Sequence, residues 1–306
     1  MRKLLLSSVF LAAMAVSAAQ AQPPAGPRTF SPGQRIANEQ IARLWRDDSV
    51  AMEPFRIIGN IYYVGAADIA SYLITTPQGH FLIDTGTTTM TAELPRNIEK
   101  LGFKLSDVKV LLNSHAHVDH IQAHAVMQRI TGAAVMAMAA DVKSMEDGHD
   151  YSSIEFQGWE PIKVDRVLHD NDEIVIGNQT VRAIWTPGHT PGNTTFVTTV
   201  QEGGRSYQVV IGGAANPVVG NPKFNTKPAD AETSFRRLKE LKPDIQLVGH
   251  PRGAFAGKLD ALRAGARPSP LAVAPGAWEK LVGDAEAGYR RRVAEAAAPP
   301  AAAPAR

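Results

Sequence analysis

Ser114-His115-Ala116-His117-Val118-Asp119-His120 brings three histidines and an aspartate together directly after the apolar run 108–112. His115 and His117 are two positions apart, so on extended backbone they point the same way. Asp119 and His120 stand where the chain turns into the next helix and can face a second point close by. Neutral imidazole suits zinc, and one carboxylate adds charge without closing the coordination shell. A polar loop with chance histidines would not concentrate ligand types this densely.

Three further polar clusters follow apolar strands. Thr186-Pro187-Gly188-His189-Thr190-Pro191-Gly192 fixes a rigid turn with one histidine on it, and Gly249-His250-Pro251 sets another just past a buried strand. Asp84-Thr85-Gly86 is an Asx-type turn whose carboxylate is placed to orient a metal ligand. Five of the nine histidines, His115, His117, His120, His189 and His250, thus fall in strand-end loops spread along the chain.

The segments between these loops alternate in period. Short β-rich runs at 55–58, 61–64, 72–75 and 80–83, separated by Gly59-Asn60 and Pro77-Gln78-Gly79, predict an antiparallel meander. Helices are predicted over 92–101, 120–130, 231–241, 254–264 and 277–296. In the first of these, Pro95 is tolerable only near the first turn. Strands are predicted at 108–112, 134–138, 164–168, 173–176, 180–185, 194–199, 207–212 and 245–248. Meander, helices, meander, helices implies an α/β protein of two similar halves packed sheet to sheet with helices outside. The predicted organisation is a Pro/Gly-rich lead over 22–50, one domain over 51–265, and a C-terminal helix with a Pro/Ala-rich tail over 266–306.

Composition excludes several functions. The chain of 306 residues has no Cys, so disulfide scaffolds, Cys-ligated zinc fingers and cysteine nucleophiles are ruled out. A formal charge of +2 gives no electrostatic footprint for nucleic acid. Met1-Arg2-Lys3, an apolar stretch over 4–16 and Ala19-Gln20-Ala21 read as a secretory signal peptide over 1–21. The stretch is shorter than the ~20 residues of a spanning helix, so no membrane anchor is expected after cleavage. Removal of Arg2 and Lys3 takes the whole +2 with it. The expected location is periplasmic or secreted, an oxidising space where a thiol-free chain folds without pairing errors.

HAHVDH, TPGHTPGNTTF and GHP, preceded by SYLITTPQGHFLIDTG, resemble the metallo-β-lactamase superfamily over about 53–262. PFRIIGNIYYVG and the order of the histidine motifs are most similar to subclass B3. The resemblance implies a four-layer αβ/βα sandwich with two zinc ions between the sheets. It implies that His115, His117 and His189 hold the first zinc and that Asp119, His120 and His250 hold the second. The missing Cys agrees, since the other lactamase subclasses use a Cys ligand at the second site.

Chemically, three imidazoles leave a position on the first zinc for water, whose pKa falls toward neutrality, and the resulting hydroxide can attack a carbonyl carbon. Asp119 would orient that hydroxide, with His115, His117 and His189 as its catalytic partners. The expected activity is opening of the β-lactam ring of antibiotics. The alternatives are a related dizinc hydrolase of lactones or other cyclic esters and amides, and a zinc-binding protein with little turnover. Ile211-Gly212-Gly213-Ala214-Ala215-Asn216 lacks the carboxylate that bridges both metals in the superfamily's phosphodiesterases, thioester hydrolases and many of its lactonases, which favours the lactamase. The same segment also lacks the serines that subclass B3 often places there. Asn216 could donate an amide hydrogen bond to substrate, and Lys223 or Lys227 could meet an anionic group. Gln122-Ala123 replaces the usual Gly-Gly, and His124 is expected to support the site rather than bind metal. Tyr151, Phe156 and Trp159 are candidate groove walls, and His149 and His169 are expected at the surface.

Overall fold

The computed structural model describes residues 46–151, 158–212 and 226–297. The predicted leader and the substrate-contact candidates Asn216 and Lys223 lie outside the described residues, as does Phe156. A seven-stranded sheet runs in the order β1 (Phe55–Ile58), β2 (Ile61–Tyr63), β3 (Tyr72–Thr76), β4 (Gly79–Ile83), β5 (Val108–Leu112), β6 (Ala134–Met138) and β7 (Arg166–Leu168). Its first four strands pair antiparallel and β4 to β7 pair parallel. A five-stranded sheet follows the order β12 (Ile245–Leu247), β11 (Arg205–Ile211), β10 (Thr194–Glu202), β9 (Gln179–Trp185) and β8 (Asp172–Ile176), with only β11 and β12 parallel.

Strand alternation sorts the side chains into layers. Tyr72, Ile74, Phe81, Ile83, Val110 and Leu112 of the first sheet meet Val181, Ala183, Phe196, Val209 and Ile211 of the second in one core. Their neighbours Leu73, Leu82 and Leu111 face the other way, onto helices α1 (Met90–Lys100), α2 (Val118–Ile121), α3 (His124–Thr131) and α4 (Ala139–Asp147). On the far side Ile184, Val197 and Val210 pack under α5 (Pro228–Glu240) and α8 (Ala277–Ala297). This is the expected αβ/βα sandwich.

The elements depart from prediction where distant backbone intervenes. The helix expected over 120–130 is split into α2 and α3. The His120 carbonyl, which an unbroken helix would offer to residue 124, instead accepts the Thr85 and Gly86 amides at 2.8 and 3.2 Å. The helix expected over 254–264 is also two, α6 (Arg252–Phe255) and α7 (Leu259–Arg263), interrupted at Gly257 with φ +69. These pieces close the edge of the inter-sheet core, where the Phe255 ring lies 5.2 Å from Tyr63. Helix α1 begins at Met90, so Pro95 falls in its second turn. The hairpin β10–β11 extends further than its apolar run, because Gly203 and Gly204 at φ 58 and 77 make a tight turn at its tip. Helix α8 is docked rather than appended: Trp278 is 2% exposed and its Nε1 donates to the Leu238 carbonyl at 2.8 Å.

Candidate metal centre

Four loops leave strand ends on one rim of the sandwich: 84–87 after β4, 113–117 after β5, 186–193 between β9 and β10, and 248–251 after β12. Asp84, at φ 59, binds the second loop to the first. Its carboxylate accepts the Ser114 amide at 2.6 Å, the Ser114 hydroxyl at 2.7 Å and His120 Nδ1–H at 2.9 Å. The Ser114 carbonyl in turn accepts the Thr194 amide at 2.7 Å, joining the two sheets. His117 is still extended, and α2 begins at the next residue, so His115 and His117 project from straight chain while Asp119 and His120 ride the first helical turn.

His115, His117 and His189 form one cluster, with ring centroids 4.5 to 4.7 Å apart. His117 Nδ1 is 3.1 Å from His189 Nε2, and one ligand atom from each of the three lies within 4.8 Å of the others. A second cluster abuts it, with the His115 and His120 rings 4.0 Å apart. Asp119 Oδ2 lies 3.3 Å from His120 Nε2 and 3.3 Å from His250 Nε2. His250, at the solvent side of the rim, donates Nδ1–H to the Asp68 carbonyl at 2.8 Å, which turns Nε2 toward Asp119. Gly249 permits this closeness, because a Cβ there would sit 2.9 Å from His120 Cε1.

Burial, reinforced by the neighbouring imidazoles, holds His115 well below its ordinary pKa and pushes His189 down to about 3. Burial likewise takes His117 to about 4, against the pull of Asp119. These rings are therefore neutral at physiological pH, the form that donates a lone pair to metal. Burial disfavours charge on the second cluster too, yet His120 and His250 keep the Asp119 carboxyl well below the usual range. Asp119 and Asp84 overcome the same penalty at His120 and push it up to about 10. His115 Nε2 is buried with no hydrogen-bond partner among the described residues. A metal would satisfy that atom, and five imidazoles with one carboxylate form a donor set that suits zinc.

The structure brings together His115, His117, His189, Asp119, His120 and His250, with Asp84 behind them. His124 is buried on α3, its Nδ1 2.7 Å from the Thr85 hydroxyl, and belongs to neither candidate metal group. Lys227 stands exposed at the N-cap position of α5 and is not among the residues lining the cavity beside the histidines. Trp159 is 6% exposed and packs within the helix-facing cluster of the first sheet, while Tyr151 is exposed and hydrogen-bonds Asp147. His169 is exposed and His149 half-buried. Motif reading gave no role to Ser114, although it opens the histidine motif, and passed over Asp141, Asp150 and the Asp68 carbonyl. Asp150 is buried 3.8 Å from His117 Nε2, but nothing in its local sequence marks it. The cavity, of about 590 Å³, is lined by His115, His120, His189 and His250 together with the apolar Val248, Ala254 and Leu281.

The family model of the metallo-beta-lactamase superfamily matches residues 64–250. Among solved structures, BJP-1, a subclass B3 metallo-beta-lactamase of Bradyrhizobium japonicum, is 34% identical with a TM-score of 0.73, covering 82% of this chain and 97% of that one. LRA-12, a class B3 di-zinc metallo-beta-lactamase from an Alaskan soil metagenome, is 32% identical with a TM-score of 0.72, over 80% and 96% of the two chains. The N-acyl homoserine lactonase AttM of Agrobacterium fabrum is 28% identical over 159 residues, 41% of this chain and 57% of its own. The chain spans about half the length or less of the curated relatives it matches first. Matched through its central region, and covering its solved likenesses almost end to end, the chain belongs to the metallo-beta-lactamase superfamily.

Proposed function

We propose that the protein is a dizinc hydrolase that opens the β-lactam ring, exported by its 1–21 leader to the periplasm or beyond. The observation that carries this reading is the second donor set. Asp119, His120 and His250 converge beside the three-histidine cluster, with the Asp119 carboxylate 3.3 Å from both imidazoles of the set. The likeness to subclass B3 enzymes over nearly their full length supports the same substrate class.

Zinc held there would supply Lewis acidity and lower the pKa of water to near neutrality. The chain's own part is to prepare that chemistry. His115, His117 and His189 are kept neutral by burial and so present lone pairs. Asp119 stays ionised and can accept a hydrogen bond from the attacking water, fixing its direction. Val248, Ala254 and Leu281, which line the same cavity, offer apolar surface to the substrate's ring system.

A lactone hydrolase is the second reading, supported by the similarity to the Agrobacterium lactonase. Zinc-loaded protein lacking residues 1–21 should be assayed against a penicillin, a cephalosporin, a carbapenem and an acyl-homoserine lactone, with and without EDTA. Turnover of at least one β-lactam that EDTA abolishes is expected. Turnover of the lactone alone would overturn the lactamase assignment, and fractionation that leaves the protein in the cytoplasm would overturn export.

A further inference from the structure

Asp141, on the first turn of α4, is 1% exposed, and no lysine or arginine pairs with it among the described residues. Its carboxylate instead collects three donors. Oδ2 accepts the Ala116 amide at 2.8 Å and the Thr190 hydroxyl at 2.7 Å, and Oδ1 accepts the Gly192 amide at 2.7 Å. These donors come from two loops that are 74 positions apart at Ala116 and Thr190. Ala116 lies between His115 and His117, and Thr190 follows His189. Each ligand of the three-histidine cluster is therefore one residue from a group that Asp141 holds. The fit is close: a Cβ on Gly192 would lie 2.5 Å from Asp141 Cγ.

We propose that Asp141 is a positioning residue for the three-histidine half of the metal site, clasping the His115–His117 segment to the His189 turn from behind. The inference rests on the metal-binding reading above. A buried carboxylate without a cation is costly unless hydrogen-bonded, and three donors offset that cost here. Burial outweighs those donors and pushes the Asp141 carboxyl up to about 6. Asparagine has nearly the same shape but turns an NH2 toward a donor, so one of the three bonds becomes a clash of hydrogens. Valine in place of Thr190 removes one donor and leaves the carboxylate intact.

The test is stepwise zinc affinity, measured by chelator competition on metal-free protein, with cobalt(II) absorption reporting on each site. Wild type, Asp141→Ala, Asp141→Asn and Thr190→Val should be compared, together with their urea unfolding. The Asp141 variants should weaken one binding step by about 10- to 100-fold and leave the other unchanged. Thr190→Val should show a smaller loss in the same step. Should Asp141→Ala fail to fold, Asp141→Asn and Thr190→Val carry the comparison. Loss of stability with both zinc steps intact, or equal weakening of both, would overturn the proposal. Wild-type protein that binds no zinc would instead overturn the metal-binding reading itself, so the two failures are distinguishable.

Discussion

Asp84 uses both carboxylate oxygens on the chain around the metal centre, taking the Ser114 amide, the Ser114 hydroxyl and His120 Nδ1–H. Asp84→Ala leaves three buried donors without that acceptor, which should cost on the order of 2 to 4 kcal/mol in urea unfolding of the metal-free protein. An unchanged midpoint would show that water or a shifted side chain replaces it. Asp119→Ala should leave the circular dichroism spectrum unchanged and abolish hydrolysis; turnover at the wild-type rate would remove Asp119 from the mechanism. The six proposed ligands and Asp84 were legible because they fall in short polar clusters that follow apolar strands, and the family resemblance implied how the ligands divide. Asp141 was not, because nothing in MAMAADVKSM distinguishes a hub of three hydrogen bonds from a solvated helical aspartate. Asp68 acts on His250 through a carbonyl, which no side-chain pattern can reveal.

The helix break at 122–123 and the glycine at 249 show how elements are shaped by contacts far along the chain. The 120–130 stretch has helical periodicity, yet His120 presents its carbonyl to the Thr85–Gly86 loop and the Ala123 amide bonds the Gly86 carbonyl at 3.2 Å. That competition lies 35 residues away in sequence and is invisible to local pattern. Gly249→Ala would push a methyl group against the His120 ring. The expected result is loss of one bound zinc with little change in the metal-free unfolding midpoint, read by metal analysis beside urea titration; full zinc content would show that the ring has room to move. Trp278→Ala opens a cavity beneath α8 and removes the bond to Leu238, with an expected cost of about 3 to 5 kcal/mol. A cost near zero would mean that α8 is not part of the folded core.

The layered architecture was readable because meander and helix segments alternate twice along the chain, whereas the strand order, such as β12 pairing parallel with β11, depends on segments far apart in sequence and was not. Electrostatic consequences were not readable, since they depend on how many imidazoles one rim collects. His117, His189 and His124 are driven by burial to about 4, 3 and 4 from an ordinary 6.5. A depressed folded pKa contributes stability that is present above 6.5 and lost as pH falls toward those values, on the order of 1 kcal/mol per pH unit for each group. His120, raised to about 10, contributes in the opposite sense: its share is present below 6.5 and lost as pH rises toward 10. Metal-free protein should therefore show its highest Tm near neutrality, with a fall on both sides, and a flat profile from pH 4 to 10 would contradict these assignments. The proposed dizinc hydrolase requires two adjacent metal positions built from six named side chains. Zinc counted by mass spectrometry after titration and dialysis of metal-free protein tests that directly: two ions per chain are expected, falling to one in His250→Ala, whereas fewer than two in wild type, or two retained in His250→Ala, would contradict it.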